Sequence, residues 1–377
     1  MKLPQPRAGE PVTVRRRKVE FSLWPARQAK GGYITNPRLF VTYPWPVISQ
    51  VIAGLKNKTD RQVGAAFIEQ ARDFFQAALT ANTAAAKPLL LYYCFLNLAK
   101  ALVLVRIPGT SLDAAMHGLV ERLKAGKREL IDAYLEIKPT AVKPEVFDLL
   151  LKAIRGNGLA VQTKFNVPTL MRQVVTGHRL YLSATGKTTE NFLSLKHLEF
   201  LHDANSHTIW LRIAIASGDL SRVGVGQKKL LQAAALAPNW RAVSQPTGTE
   251  PNLIWIEMSV PEQYQQGWIA EKIMPVIEKA RHQLWQTVRS VPPYRAYYLF
   301  LPPASESPYL LPQVLSSYAL FFYFGSITRY RPHHFDRILD GPFGSFTESF
   351  LNDQPSQLLF LFASEFARRE VTKAAIV

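Results

Sequence analysis

Apolar residues recur every three to four positions over 60–79, DRQVGAAFIEQARDFFQAAL, where Val63, Phe67, Phe74 and Ala78 share a face that Phe75 widens. That period predicts an amphipathic helix. The next segment, 87–105, KPLLLYYCFLNLAKALVLV, is apolar nearly all round, which predicts a helix buried on every side. Pro88 suits its first turn and Pro108-Gly109 mark its stop. Shorter helices are expected over 117–123 and 144–154, before the break at Gly156-Asn157-Gly158. The texture then changes. Segments 208–216 (TIWLRIAIA) and 253–260 (LIWIEMSV) alternate, and 295–301 (RAYYLFL) is aromatic and ends at Pro302-Pro303; all three read as strands. A helix over 268–288, kinked or restarted at Pro275, lies between the last two. Helix returns over 312–330, again very apolar, and over 346–351 and 357–374.

These elements predict an α+β fold. Its helical core is formed by N- and C-terminal segments, with a mainly antiparallel β-rich region inserted between them. The regions are an arm (1–45), a helical region (46–158), a β-rich region (159–305) and a C-terminal helical region (306–377) packing on 46–158. No fixed-period repeat is visible, which argues against a solenoid. The arm is basic and proline-rich, with Arg15, Arg16, Arg17 and Lys18 in a run. Its Phe21, Trp24, Tyr33, Phe40, Tyr43 and Trp45 are too many for a disordered tail. They favour packing over the domain above stacking on nucleic acid.

Composition narrows the classes. The chain has 377 residues, 47% of them hydrophobic, enough for about two packed units and a sizeable core. The longest apolar stretch, 310–327, is interrupted by Pro312, Gln313, two serines and Gly325. It falls short of about 20 clean apolar residues, so no membrane partner is expected. The first 18 residues lack the apolar segment of a secretory signal. A lone cysteine, Cys94, excludes an internal disulfide and a cysteine-based zinc site. The default location is cytoplasmic. Lys and Arg exceed Asp and Glu by 17, a field that draws in phosphates and other polyanions. The partners expected are a protein partner or a homodimer, and nucleic acid, RNA or DNA. A solvated basic surface, or a basic face docking on an acidic protein, competes with nucleic-acid contact.

Several candidate motifs fail on spacing. Ala184–Thr188 resembles the end of a phosphate loop, but Tyr181 stands where the loop requires glycine. Gly224 and Gly226 lack a third glycine, though Lys228 and Lys229 beside them could hold a phosphate. His197, His202 and His207 are five apart, which spreads them round a helix or across both faces of a strand. No metal or cofactor is expected. The densest polar cluster is 329–337, RYRPHHFDR. An arginine such as Arg329 or Arg331 can grip phosphate bidentately, while His333 or His334 serves as acid or base near neutral pH. Arg329 and His334 are separated by four residues; with this many arginines such a match arises about once by chance, and Arg172 with His178 gives a similar one. The competing reading is a helix terminus with solvated histidines, its arginines meeting the dipole.

Two stretches carry a resemblance to the YaaC-like family of bacterial proteins. One is Lys87-Pro88-Leu89-Leu90-Leu91-Tyr92-Tyr93 with Asn97-Leu98-Ala99-Lys100 and Met116-His117-Gly118; the other is 326–332, SITRYRP, with the apolar helix before it. The family has no established biochemical function, so the resemblance implies a fold more than an activity. The family often has tryptophan near 334 and 335, where this chain has His334-Phe335; that counts against a family-wide catalytic role for His334. The first stretch is also similar, more distantly, to HEPN helical domains. That resemblance implies metal-independent RNA cleavage through the 2′-hydroxyl, usually across a dimer. His334 would be the acid/base and Arg329 would hold the phosphate, with His333 beside them and Tyr92, Tyr93, Asn97, Lys100 and His117 in support. It implies a setting in phage defence by analogy alone. Tyr92, Tyr93 and Asn97 equally suit hydrogen bonds inside a bundle. The leading expectation is a nucleic-acid-associated or partner-binding protein whose anion contacts come from Arg15, Arg16, Arg17 and Lys18, from Lys228 and Lys229, and from Arg331 beside Arg329; a HEPN-type ribonuclease and a structural docking subunit are the alternatives.

Overall fold

A computed structural model describes residues 3–374 other than 15, 25–26, 29–33, 36–37, 82–84, 128, 227–229, 232–238, 266–268, 285–286 and 303–309. In chain order its helices are α1 (Trp45–Ala53), α2 (Lys58–Thr80), α3 (Lys87–Arg106), α4 (Val146–Arg155), α5 (Val167–Arg172), α6 (His178–Ala184), α7 (Ser217–Val223), α8 (Ile269–Leu284), α9 (Gln313–Tyr330), α10 (Pro332–Leu339) and α11 (Gly344–Ala367). The described strands pair antiparallel except for Glu370–Lys373, which runs parallel to Arg38–Val41. The fold is α+β, with the mainly antiparallel sheet inserted between the N- and C-terminal halves of a helical core.

The chain divides into a helical unit, Thr42–Thr188 with Leu311–Ala367, and a β-rich unit, Met1–Val41 with Thr189–Leu310 and Arg368–Val377. The divisions fall at 188/189 and 310/311, where the texture of the sequence changes at 158/159 and 305/306. Residues 159–188 pair and pack inside the helical unit: Thr163–Asn166 joins a three-stranded antiparallel sheet with Leu119–Leu123 and Ala133–Ile137, and Val167, Leu170 and Met171 are fully buried.

In the helical unit, α3 and α9 form the centre because both are apolar on all sides. Phe95 of α3 meets Phe321 of α9 at 4.9 Å and Phe362 of α11 at 6.0 Å between ring centroids. By length and composition α3 could cross a membrane, and 72% of its apolar window is buried inside the unit. Helix α2 starts where Asn57 Oδ1 accepts from the N–H groups of Thr59 (2.9 Å) and Asp60 (3.2 Å), a side-chain cap. Its buried stripe is Gly64, Ile68, Ala71, Phe75 and Ala78, rotated from the face expected, and Val63 is exposed. Gly64 lies against Ile52 of α1, and Phe74 stacks on Tyr93 of α3, so α2 serves two neighbours.

Two helical expectations give way. Over 117–123 the chain forms the strand Leu119–Leu123, because Gly118 at φ +76 stops a helix and the strand then pairs with Ala133–Ile137. The pair 346–351 and 357–374 becomes one helix, α11, running through Pro355, and Glu370–Lys373 beyond it is a strand. Pro355 costs one backbone hydrogen bond, but it and nearly all its neighbours on α11 are buried, so packing holds the helix together. Pro275 is likewise inside α8.

The β-rich unit is built on an eight-stranded sheet with central order Trp240–Val243, Leu253–Met258, Thr208–Ala216, Phe192–Asp203, Ala296–Phe300, Val288–Val291. Ile273, Val276 and Ile277 of α8 share a core with Leu211, Ile213 and Ile256 of the sheet. In alternate register Arg212, Glu257 and Arg241 stand side by side. Glu257 is fully buried; its Oε1 accepts from Arg241 Nη2 (2.6 Å) and its Oε2 from Arg212 Nη2 (3.2 Å). The arm crosses these strands. Ser244 N–H donates to Pro4 O (2.8 Å), and Arg7 N–H donates to Glu257 Oε1 (3.3 Å). Gly9 lies so close to Trp210 that an added Cβ would collide with its ring. Phe21 and Trp24 are buried in the unit's core, Phe21 against Phe200 and Tyr297.

Candidate functional site

Where α9 crosses α3, a Cβ on Gly325 would stand 2.9 Å from Tyr92 Cβ and 3.2 Å from Pro88 O. Glycine therefore sets the helix separation. Beside this crossing lies a cavity of about 300 Å³, and its polar lining comes from Tyr92, Tyr93, His117, Glu121, Arg329 and Tyr330. The elements explain the convergence. Tyr92 and Tyr93 sit one turn into α3, Arg329 and Tyr330 end α9, and Gly118 at φ +76 turns the chain so that His117 and Glu121 approach from the small sheet.

Each group is held. Arg329 Nη1 donates to the Tyr93 hydroxyl (2.8 Å), and its guanidinium stands 5.0 Å from the Tyr330 ring centroid. Tyr93 stacks on Phe74 at 5.6 Å. The Tyr92 hydroxyl and His117 Nδ1 share a hydrogen bond. Glu121 is ion-paired with Arg331, so its charge is already matched. Burial pushes the Tyr92 phenol well above its usual range. The His117 imidazole is held below its usual value, first by burial and then by the positive charges of Lys100 and Arg329. Burial also lowers Lys100, whose ammonium stands 5.3 Å from the Phe67 ring centroid. The arrangement offers one cation, a neutral imidazole, hydroxyls and aromatic faces, which suits a planar ring bearing an anion.

Other expected residues go elsewhere. Asn97 is buried, and its Nδ2 donates to Gln70 Oε1 (2.7 Å), tying α3 to α2. His333 is exposed on α10. His334 is 3% exposed and does not line the cavity. Its Nε2 has no hydrogen-bond partner among the described residues, and burial followed by Arg331, Arg337 and His333 lowers its pKa. The spacing that joined Arg329 to His334 spans the end of α9 and the start of α10, and the histidine that shares the cavity with Arg329 is His117. Arg16, exposed at φ 64, and Lys18, paired with Glu199, belong to the β-rich unit. Arg17 lies in the short strand Arg17–Lys18. Arg15, Lys228 and Lys229 lie outside the described residues.

Ala184–Thr188 is the end of α6 and its turn, with Gly186 at φ +64 and the Thr185 hydroxyl on Tyr181 O. His197 stacks on Trp255 at 5.7 Å, and His202 approaches the Tyr264 hydroxyl at 3.3 Å. No group of three metal-binding side chains occurs among the described residues. Cys94 is fully buried, which raises its thiol pKa. The sequence did not single out Glu121 or Tyr330. Tyr330 could have been found as an aromatic between two arginines at a helix end; Glu121 gave no signal beyond following a His-Gly turn.

A family model described as YaaC-like Protein matches residues 44–366. No curated protein and no solved structure matches the chain.

Proposed function

The chain belongs to the YaaC-like family, and from that premise we propose that it is a nucleic-acid-associated protein that takes single-stranded nucleic acid at the cavity of its helical unit. The observation that carries this is Arg329. It lines the cavity between Tyr93 and Tyr330 and has no carboxylate partner among the described residues. A guanidinium suits phosphate, and aromatic faces stack on bases with about 1–3 kcal/mol per base. Lys and Arg outnumber Asp and Glu in each unit, a field that adds sequence-independent attraction. A cytoplasmic location goes with this reading.

The ribonuclease alternative draws no comparable support. His334 is buried outside the cavity lining, and the HEPN resemblance gains nothing from the family match. The phage-defence setting rests on the same analogy. The third alternative, a basic face docking on an acidic protein, is an outcome of the test.

Fluorescence anisotropy with labelled single-stranded RNA and DNA across a salt series tests the proposal. Affinity is expected to fall log-linearly with salt, and Arg329→Ala to weaken it roughly tenfold, as loss of a charged hydrogen bond does. Binding that ignores ionic strength, or no binding at all, would leave protein docking in its place.

A further inference from the structure

The cavity's volume, about 300 Å³, is at the lower end of ligand sites, which run from ~300 to ~1,000 Å³. It has room for one nucleotide rather than a run of them. Its charges are also unbalanced. The one cation in the lining, Arg329, is unpaired by any described carboxylate, and the one acid there, Glu121, is matched by Arg331; Lys100, outside the lining on the Phe67 ring, adds its positive charge at His117. His117 is fixed through Nδ1 by the Tyr92 hydroxyl, and its Nε2 has no hydrogen-bond partner among the described residues. We propose that this cavity selects the end of a nucleic-acid strand that carries a terminal phosphomonoester, with Arg329 and His117 holding the phosphate and Tyr330 facing the terminal base. The inference rests on the strand-binding reading above and goes further by naming what part of the strand is read.

The preference follows from charge. An internal phosphodiester carries one negative charge, whereas a phosphomonoester carries about −1.5 to −2 near neutral pH. Two uncompensated cations, Arg329 and Lys100, already act together on His117, so the more highly charged group is better matched. A dianion placed there offsets the positive charges of Lys100 and Arg329 that, after burial, lower the His117 pKa, so binding should draw a proton onto its imidazole. The charged and titratable groups around that ring are Tyr92, Tyr93 and Lys100 on α3, Tyr318, Arg329 and Tyr330 on α9, Glu121 on its own strand, and Glu145, which bridges to Met116. Of these the two acids are the groups that could repel a phosphate: Glu121 is matched by Arg331, and burial disfavours the charged form of Glu145 by raising its pKa.

The test uses the full chain with oligonucleotides of one sequence bearing a 5′-phosphate, a 3′-phosphate or hydroxyls at both ends, with inorganic phosphate and a nucleoside monophosphate as competitors. One phosphorylated end is expected to bind at least tenfold more tightly than the hydroxyl-ended strand, and which end does so identifies the polarity. The gain should vanish in Arg329→Ala, and the mononucleotide should compete better than inorganic phosphate. Calorimetry in two buffers of different ionisation enthalpy should show proton uptake near neutral pH that His117→Gln abolishes; a merely structural histidine would not move it. Equal affinity for all three strands overturns the inference and leaves strand binding standing. A preference that persists in Arg329→Ala overturns it by placing the phosphate elsewhere. Failure of every strand to bind overturns both.

Discussion

His334 and His117 show how one residue type divides by surroundings. Both carry a lowered pKa with burial as the first cause, yet His117 lines the cavity and His334 is buried on α10 outside it. The sequence made His117, Arg329, Tyr92 and Tyr93 legible, because Tyr-Tyr, His-Gly and the basic helix end are local patterns. It could not say which histidine joins Arg329, since that depends on where α9 stops and how Gly118 turns. The depressed pKa of His334 has a consequence for stability. In the unfolded chain this imidazole takes a proton near its ordinary value of 6.5; in the folded chain it does so only at lower pH. The unfolded state therefore binds more protons across that interval, and the stabilising contribution, complete above the unfolded value, is lost as pH falls through the folded one. Glu145 and Glu370, both raised by burial, act in the opposite sense at lower pH. Urea unfolding between about pH 7.5 and about 5.5 should show wild-type stability falling more steeply than that of His334→Gln. Parallel slopes would refute this.

At the scale of elements, legibility followed how completely a segment's own pattern determined its state. Helices α3 and α9 were readable because an apolar run of some twenty residues leaves few alternatives. The strand Leu119–Leu123 was not, because five residues give too short a period and its partner Ala133–Ile137 lies beyond a turn. The long strand Phe192–Asp203 went unread for a related reason: its alternation is broken by a register shift between Leu195 and His197. Helix α11 passed through a proline that local rules treat as a stop. The α3–α9 crossing yields a direct expectation. Gly325→Ala puts a methyl 2.9 Å from Tyr92 Cβ, and backbone at Pro88 O leaves it no room. The helices must part, at about 1–3 kcal/mol for overpacking. Denaturant midpoints would measure the loss, and strand affinity should fall with it because Tyr92 moves. A variant as stable as wild type would mean that the crossing is looser than described.

For the whole molecule, the economy of the sequence reading held in outline: residues far apart in the chain share one helical core, and the sheet is an insertion into it. What composition could not give was the destination of the arm, whose Phe21 and Trp24 enter the core of the β-rich unit. Its aromatics predict packing over a domain, and Phe21 and Trp24 pack so, while Arg7 N–H donates to Glu257 Oε1. The helical unit takes Phe321 and Phe362 from the segment Leu311–Ala367. A fragment of residues 42–188 alone lacks both and leaves α3 uncovered. By circular dichroism and limited proteolysis it should fail to give a protected, cooperatively melting core, and a stable fragment would contradict the shared-core description.

The parallel pairing of Arg38–Val41 with Glu370–Lys373, locked by Arg38 Nε donating to Glu370 Oε2 at 3.1 Å, bears on synthesis. On the ribosome, Arg38 emerges early and waits for a strand that is translated more than three hundred residues later. The helical unit is also incomplete until Ala367 has been made. Both units therefore close at nearly the same late moment, and for most of translation the nascent chain carries unpaired edges and bare apolar helices that a chaperone would have to shield.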